Sequence, residues 1–275
     1  MRTAASALGF YRAPILLVSL LAGLMLFVPF LVLVATSWTS GGLLLFPPQG
    51  FSLRWYETVL QDPRWMEPFA LSLAVSAAAT LLAVIFGTAG ALAVLRLSPR
   101  SARVVRTLFI VPIALPPVAY AIGLYGVNLQ LDALRSSFVT LILGEALIAL
   151  PYVFVVVSAA TGRLDPNLRK AAVTLGAGWP LILRRVELPL LIPNIVAGAV
   201  FGFSIVFDEV VLSVFLLPPG VQTLPLKMLS ASTEAFSPAL TAASTMVSLL
   251  ALIVLALFAW LSRAGARRMR KVSTP

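Results

Sequence analysis

Cysteine and histidine are both absent from this 275-residue sequence. Disulfides, Cys/His metal sites, thiol nucleophiles and imidazole bases are therefore excluded within the chain. Lysine is scarce, with Lys170, Lys227 and Lys271 alone. None of them follows a glycine, so no GxxxxGK[ST] phosphate loop exists and the chain lacks the usual ATP-hydrolysing motif. Charge of either sign is thin: 11% of residues are charged, against roughly 25% in soluble domains. With 60% hydrophobic residues and a mean hydropathy of +1.02, the chain cannot cover itself with a polar surface. Lipid is its expected solvent.

What charge there is has a pattern. The net charge is +10, which fits either basic membrane loops or a nucleic-acid footprint. Charge-free runs decide for the membrane. Six of them, the fourth broken only by Glu145, are long enough for the roughly 20 apolar residues a span requires. The expected helices cover approximately 14–36, 68–95, 107–128, 137–160, 190–215 and 238–262, in one transmembrane domain over 1–275. The first apolar run is too long for a signal-peptide core and lacks a clean A-x-A site, so it is expected to stay as a helix. With the N-terminus inside, sixteen basic residues fall inside and four, Arg54, Arg64, Arg135 and Lys227, fall outside. This positive-inside asymmetry puts both termini in the cytoplasm, and no nucleic-acid partner is called for. The fold class expected is an all-α membrane protein of six transmembrane helices.

The helices differ in texture. The third carries VPIALPPVAY, in which Pro112, Pro116 and Pro117 each disturb the backbone ladder. In lipid such a break must be buried or line a cavity, so Pro116 and Pro117 mark either a kink or a pathway. The second helix is rich in small residues, and the fifth holds Gly198-x-x-x-Gly202, patterns that permit close helix contact.

Between helices 4 and 5 lies a loop at 163–189, which contains DPNLRKAAVTLGAGWPLILRRVELP. Asp165 can cap a helix that begins at Pro166. Leu168, Ala171, Ala172 and Leu175 then share one face, and Gly176 is placed to end the helix. A second short helix is expected from Pro180, with Pro189 and Pro193 shaping the entry into helix 5. The apolar ridge is too short to span a membrane. On spacing alone it either folds back on its own helices or docks on another protein.

Acids inside a membrane are costly and are functional candidates. Glu145 stands in helix 4 and the pair Asp208-Glu209 in helix 5. Counted from the loop at about 1.5 Å per residue, all three reach the outer half of the bilayer or its margin. They suit a cationic solute in a shared vestibule, or else pair with an arginine of a partner or mark a bend.

The stretch RKAAVTLGAGWPLILRRVELPLLIPNI resembles the EAA motif of binding-protein-dependent ABC importer permeases, E-A-A-x-x-x-G followed further on by I-x-L-P. Ala171, Ala172, Gly176, Val186, Leu188 and Pro189 match it, while Lys170 stands at the family glutamate position. The resemblance implies a coupling helix seated in an ATPase subunit, with Leu168, Arg169, Lys170, Ala171, Ala172, Leu175, Gly176, Leu188 and Pro189 making or shaping the contact. It implies two ABC ATPase subunits that bind ATP and Mg, a second permease subunit and an extracytoplasmic solute-binding protein. It implies a bacterial inner (cytoplasmic) membrane location. The chain itself would hold no cofactor or metal and would not be an enzyme; it would form half of a translocation pathway.

Further on, FDEVVLSVFLLPPGVQTLPLKML resembles the spermidine/putrescine-type branch at Phe207, Asp208, Glu209, Phe215, Thr223, Leu224 and Pro225. A polyamine or similar small cation is the solute this implies, with Glu145, Asp208, Glu209, Pro116 and Pro117 along its path. Branches for iron, phosphonates and other small organic solutes share much of the pattern. A secondary transporter would need internal repeats and paired broken helices, and only helix 3 is broken by proline in its middle.

Overall fold

The computed structural model describes residues 3–131, 138–234 and 237–272. Side chains are described for 14–131, 138–233, 237–253 and 255–256. Arg2 and Arg135, counted above, lie outside the described residues. Among those residues the chain is helical, without a strand. It forms two compact units. One holds Met1–Met66 with Met228–Ala251, the other Glu67–Lys227 with Leu252–Pro275.

The first unit contains α1 (Thr3–Ser37) and α2 (Arg54–Gln61). From Ile15 to Phe27 the large side chains of α1 are exposed, as suits a helix that meets lipid. The loop between the two helices is closely tied. Ser37 Oγ and Tyr56 Oη share a 2.5 Å hydrogen bond. Trp55 Nε1 donates to the Gly41 carbonyl at 3.1 Å.

Most of α3 (Pro63–Val94) belongs to the second unit, with α4 (Pro99–Ile110), α5 (Pro117–Gln130) and α6 (Val139–Thr161). After them come α7 (Pro166–Thr174), α8 (Trp179–Ile182), α9 (Leu188–Phe207), α10 (Val211–Leu216) and the start of α11 (Leu224–Glu234). The final helix, α12 (Pro238–Val272), runs without a break.

The core of the second unit is built on α6. Ala79, Ala83 and Ala91 of α3 join Ala149, Val153, Phe154 and Val157 of α6, and Val206 of α9 closes the cluster. Small residues let the backbones approach. A Cβ added to Gly198 would lie 3.2 Å from Val153 Cα, and one on Gly87 3.1 Å from Val153 Cβ. A Cβ on Gly202 would meet Val153 and Ala149 at 3.3 and 3.4 Å. The glycine pair of the fifth span is therefore a true close contact, made against α6. Phe109 of α4 packs on Phe154 with ring centroids 4.8 Å apart.

Several expected elements need correction. The third span is not one helix over 107–128. A 3₁₀ turn, Val111–Ala114, precedes a 100° bend between Pro99–Ala114 and Pro117–Gln130. The cause is local: Leu115 and Pro116 each precede a proline and are pushed into extended backbone, with ψ of 128° and 124°. The fifth span does not run through to 215 either. Its helix ends at Phe207 and restarts as α10. The second loop helix is not separate from that span. After α8 a π-helical turn, Leu183–Glu187, runs straight into α9. This wide turn lies just before Pro189, whose ring excludes the normal bond to the carbonyl four residues back.

Among the described residues four segments qualify as spans by length and apolarity: Pro14–Ser37, Pro63–Val94, Val139–Thr161 and Trp179–Phe207. The bent pair makes a fifth if counted as one crossing. The expected sixth, 238–262, coincides with the first part of α12, whose described apolar stretch is the shorter Pro238–Ile253.

Candidate functional site

The 163–189 loop folds from its own sequence signals. Asp165 Oδ1 accepts the Asn167 N–H at 2.9 Å and caps α7, with Pro166 at the first helical position. At the other end Gly176 takes φ +80°. Its N–H donates to Val173 O at 2.9 Å, and the Ala177 N–H donates to Ala172 O at 3.0 Å. That bond pair is a Schellman stop, which favours glycine at this position.

Helix α7 has no buried side chain. Leu168, Ala171 and Leu175 of the expected ridge are exposed, with Leu175 at 86%, and Ala172 is half-buried. Within the second unit the ridge is thus left open. Arg169 and Lys170 are exposed as well. They border a cleft with Asp165, Val186, Glu187 and Leu190. Leu188 and Pro189 stand at the start of α9, half-buried and exposed respectively.

The α8 side of the loop is built differently. Ile182 is buried, and so is Glu187. Arg96, just past the end of α3, donates through Nη2 to Glu187 Oε2 at 2.8 Å. The Arg96 guanidinium carbon also lies 4.8 Å from the centre of the Trp179 ring. Sequence reasoning counted Arg96 for its charge alone. A signal was present: Glu187 is the one acid after Asp165 in a basic loop, and a buried acid requires a cation.

The three acids occupy three distinct environments. Glu145 on α6 is 1% exposed, and its Oε2 has no hydrogen-bond partner. Glu209 is half-buried and caps α10, accepting the Val211 and Leu212 N–H groups at 2.8 and 2.7 Å. Asp208 is exposed at the end of α9. Glu145 on α6 and Glu209 at the start of α10 sit on neighbouring elements, with Leu212 lying against Gly144, whereas Asp208 is exposed.

At the bend, Pro112, Ile113, Pro117, Tyr120, Ile148 and Tyr152 line a small, largely apolar cavity. Pro117 contributes to it, whereas Pro116 forms the exposed turn and none of the acids belongs to its wall. Tyr120 Oη donates to the Gly144 carbonyl at 3.1 Å. The segment after α10 is pinned back to α3: Thr223 Oγ1 donates to Ser213 Oγ at 3.0 Å, and the Leu224 N–H to Ser72 Oγ at 2.7 Å. Thr223 and Leu224, noted above for their resemblance, are here structural ties.

Comparison with known proteins bears on this arrangement. Residues 79–271 match the family described as binding-protein-dependent transport system inner membrane component. The chain is 29% identical over 270 residues to the putrescine transport system permease protein PotI of Escherichia coli (strain K12), covering 95% of each. It is 29% identical over 229 residues to the spermidine/putrescine transport system permease protein PotC of the same organism, covering 83% of this chain and 86% of that one. Its fold is similar to a chain of a bacterial ABC transporter involved in the import of the acidic polysaccharide alginate, with a TM-score of 0.73 and 15% identity over 96% of this chain and 99% of that one.

Proposed function

The chain belongs to the binding-protein-dependent transport system inner membrane components, as a multi-pass permease subunit of an ABC importer, and from that premise we propose that its solute is a polyamine. The observation that carries this is the likeness to a putrescine permease along 95% of both chains. Charge supports it: Glu145 is buried on α6 and Glu209 is half-buried at the start of α10, and a dication gains most from carboxylates in an apolar setting.

The 163–189 loop is the docking element for an ATPase subunit. Its exposed ridge of Leu168, Ala171 and Leu175, held by a cap and a glycine stop, supports this role. Arg169 and Lys170 border the contact, Ala172 and Gly176 shape it, and Leu188 with Pro189 carries it into α9. Two such ATPases bind ATP and Mg. A second permease subunit completes the pathway, and an extracytoplasmic binding protein delivers the solute. Lys170 stands at the family glutamate position, so the ionic contact that glutamate makes is absent or rearranged here. The sixteen-to-four split of basic residues supports six crossings with both termini in the cytoplasm. In that arrangement the bent α4–α5 pair and α12 supply the third and sixth crossings.

The test is uptake of labelled putrescine into proteoliposomes that hold this chain with its partner subunits. Uptake should require ATP and the binding protein, and should vanish when the ATPase nucleotide site is disabled. Uptake that persists on an ion gradient alone would sink the importer mechanism. ATP-driven uptake of another solute in preference to putrescine would overturn the polyamine assignment.

A further inference from the structure

The two halves of the 163–189 loop are held differently, and the difference falls on Arg96. Its backbone N–H bonds to Ala93 O at 2.9 Å, so it continues the last turn of α3. Its side chain reaches Glu187, 91 positions along the chain, at 2.8 Å. It also lies over Trp179, 4.8 Å from the ring centre. Trp179 opens α8 and Glu187 closes the π-helical turn, so one guanidinium holds both ends of that segment. The Arg96 and Glu187 side chains are 24% and 6% exposed. A pair so shielded is poorly screened, and breaking it on one side leaves a buried charge. Helix α7, on the far side of Gly176 and Gly178, has no buried side chain at all.

We propose that Arg96 is a positioning residue for energy coupling: it makes the end of α3 move with the loop. The proposal rests on the reading that the loop docks on an ATPase subunit. Chain continuity alone carries a displacement of α8 into α9, and one of α7 back through residues 162–165 into α6. It does not reach α3, which joins neither end of the loop. The Arg96 clasp adds that helix. The three helices already converge on Val153, where Gly87 and Gly198 bring α3 and α9 against α6. With the clasp closed they respond as one body. With it open, α9 can slide past α3 and the stroke of the loop is lost.

The experiment uses the full complex in proteoliposomes, with ATP hydrolysis and solute uptake measured side by side. In Arg96→Gln the ATPase subunits stay bound and half-saturation by the loaded binding protein is unchanged. ATP hydrolysed per solute rises about tenfold, within the usual range of coupling energies. Arg96→Lys keeps the charge but loses the flat face over Trp179, and falls between. Arg96→Glu combined with Glu187→Arg restores most of the ratio that Arg96→Glu alone destroys. A wild-type ratio in Arg96→Gln overturns the proposal. So does loss of the ATPase subunits with an unchanged ratio in the complexes that remain, which would make the clasp purely structural. A wild-type complex that takes up no solute on ATP sinks the functional premise instead, whatever the variants do.

Discussion

In the α7 half of the 163–189 loop, charge is exposed and answers to residues a few positions away. Asp165 caps the helix that starts beside it, and Arg169 and Lys170 face outward. Around α6 and α10, charge is enclosed. Glu145 is buried among residues far off in sequence, and Glu209 spends both carboxylate oxygens on the backbone of α10. Helix α7 is therefore shaped by local rules and left open to a partner. The acid region is shaped by packing and open to little in this conformation. Docking calls for a surface that is formed before the partner arrives. An intramembrane acid must stay covered until something cationic comes to meet it, because an uncompensated charge in lipid is expensive.

The largest break in that comparison is expected at Gly176. Its φ of +80° lies in the left-handed region, and no atom crowds its missing Cβ. Any effect of a substitution is thus backbone strain, about 1–2 kcal/mol for an ordinary residue and more for a β-branched one. Gly176→Val should reduce ATP-dependent uptake at least about tenfold, the equivalent of about 1.4 kcal/mol. Gly176→Asn, which tolerates this backbone, should keep most of it. Equal activity in the two variants would remove the stop from the account of the loop.

The acid region is sharpened next by Glu145→Gln, which keeps shape and removes charge. If Glu145 meets the solute, half-saturation for putrescine should rise by about tenfold, the usual weight of one lost charged contact. Asp208→Asn, at an exposed position, should change it far less. The reverse order would move the pathway to Asp208. Smaller still is Glu209→Ala, which strips two bonds from the start of α10 at a cost of about 1–2 kcal/mol. The purified complex should unfold at a lower temperature, and Glu209→Gln should recover part of the loss. An unaltered unfolding temperature in the alanine variant would deny Glu209 its capping role.

The same division explains what could be read ahead of the structure. The cap at Asp165, the stop at Gly176 and the apolar helices expected for the first, second and fourth spans follow from neighbours in sequence, and such elements are present. Gly198 and Gly202 were visible as a pattern, but their meaning lay in Val153 and Ala149 of another helix. The 100° bend was signalled by prolines, yet its size depends on two successive residues forced into extended backbone. The end of α9 at Phe207 went unseen because the apolar run resumes at Val210, just beyond Asp208-Glu209. What stops the helix is a carboxylate turning back on Val211 and Leu212. Arg96, Trp179 and Glu187 are the extreme case: three residues from two segments, each ordinary alone, that act only when the fold brings them together.

Asp165 offers the finest test, because here the sequence rule and the structure coincide. Its carboxylate accepts the Asn167 N–H, and its carbonyl accepts the Leu168 N–H at 3.2 Å. Asp165→Ala removes the first bond and leaves the second, at a cost of about 1 kcal/mol to a short, exposed helix. That is too little to unfold a chain whose core rests on α6, so transport should fall only slightly. The cost should show instead as faster hydrogen exchange at Asn167 and its neighbours in α7, several-fold and confined to that helix. Asp165→Ser, which can cap, should exchange like the wild type. If alanine and serine exchange alike, the first turn of α7 is held by the partner it docks on. The loop would then resemble the acid region after all, completed from outside its own sequence.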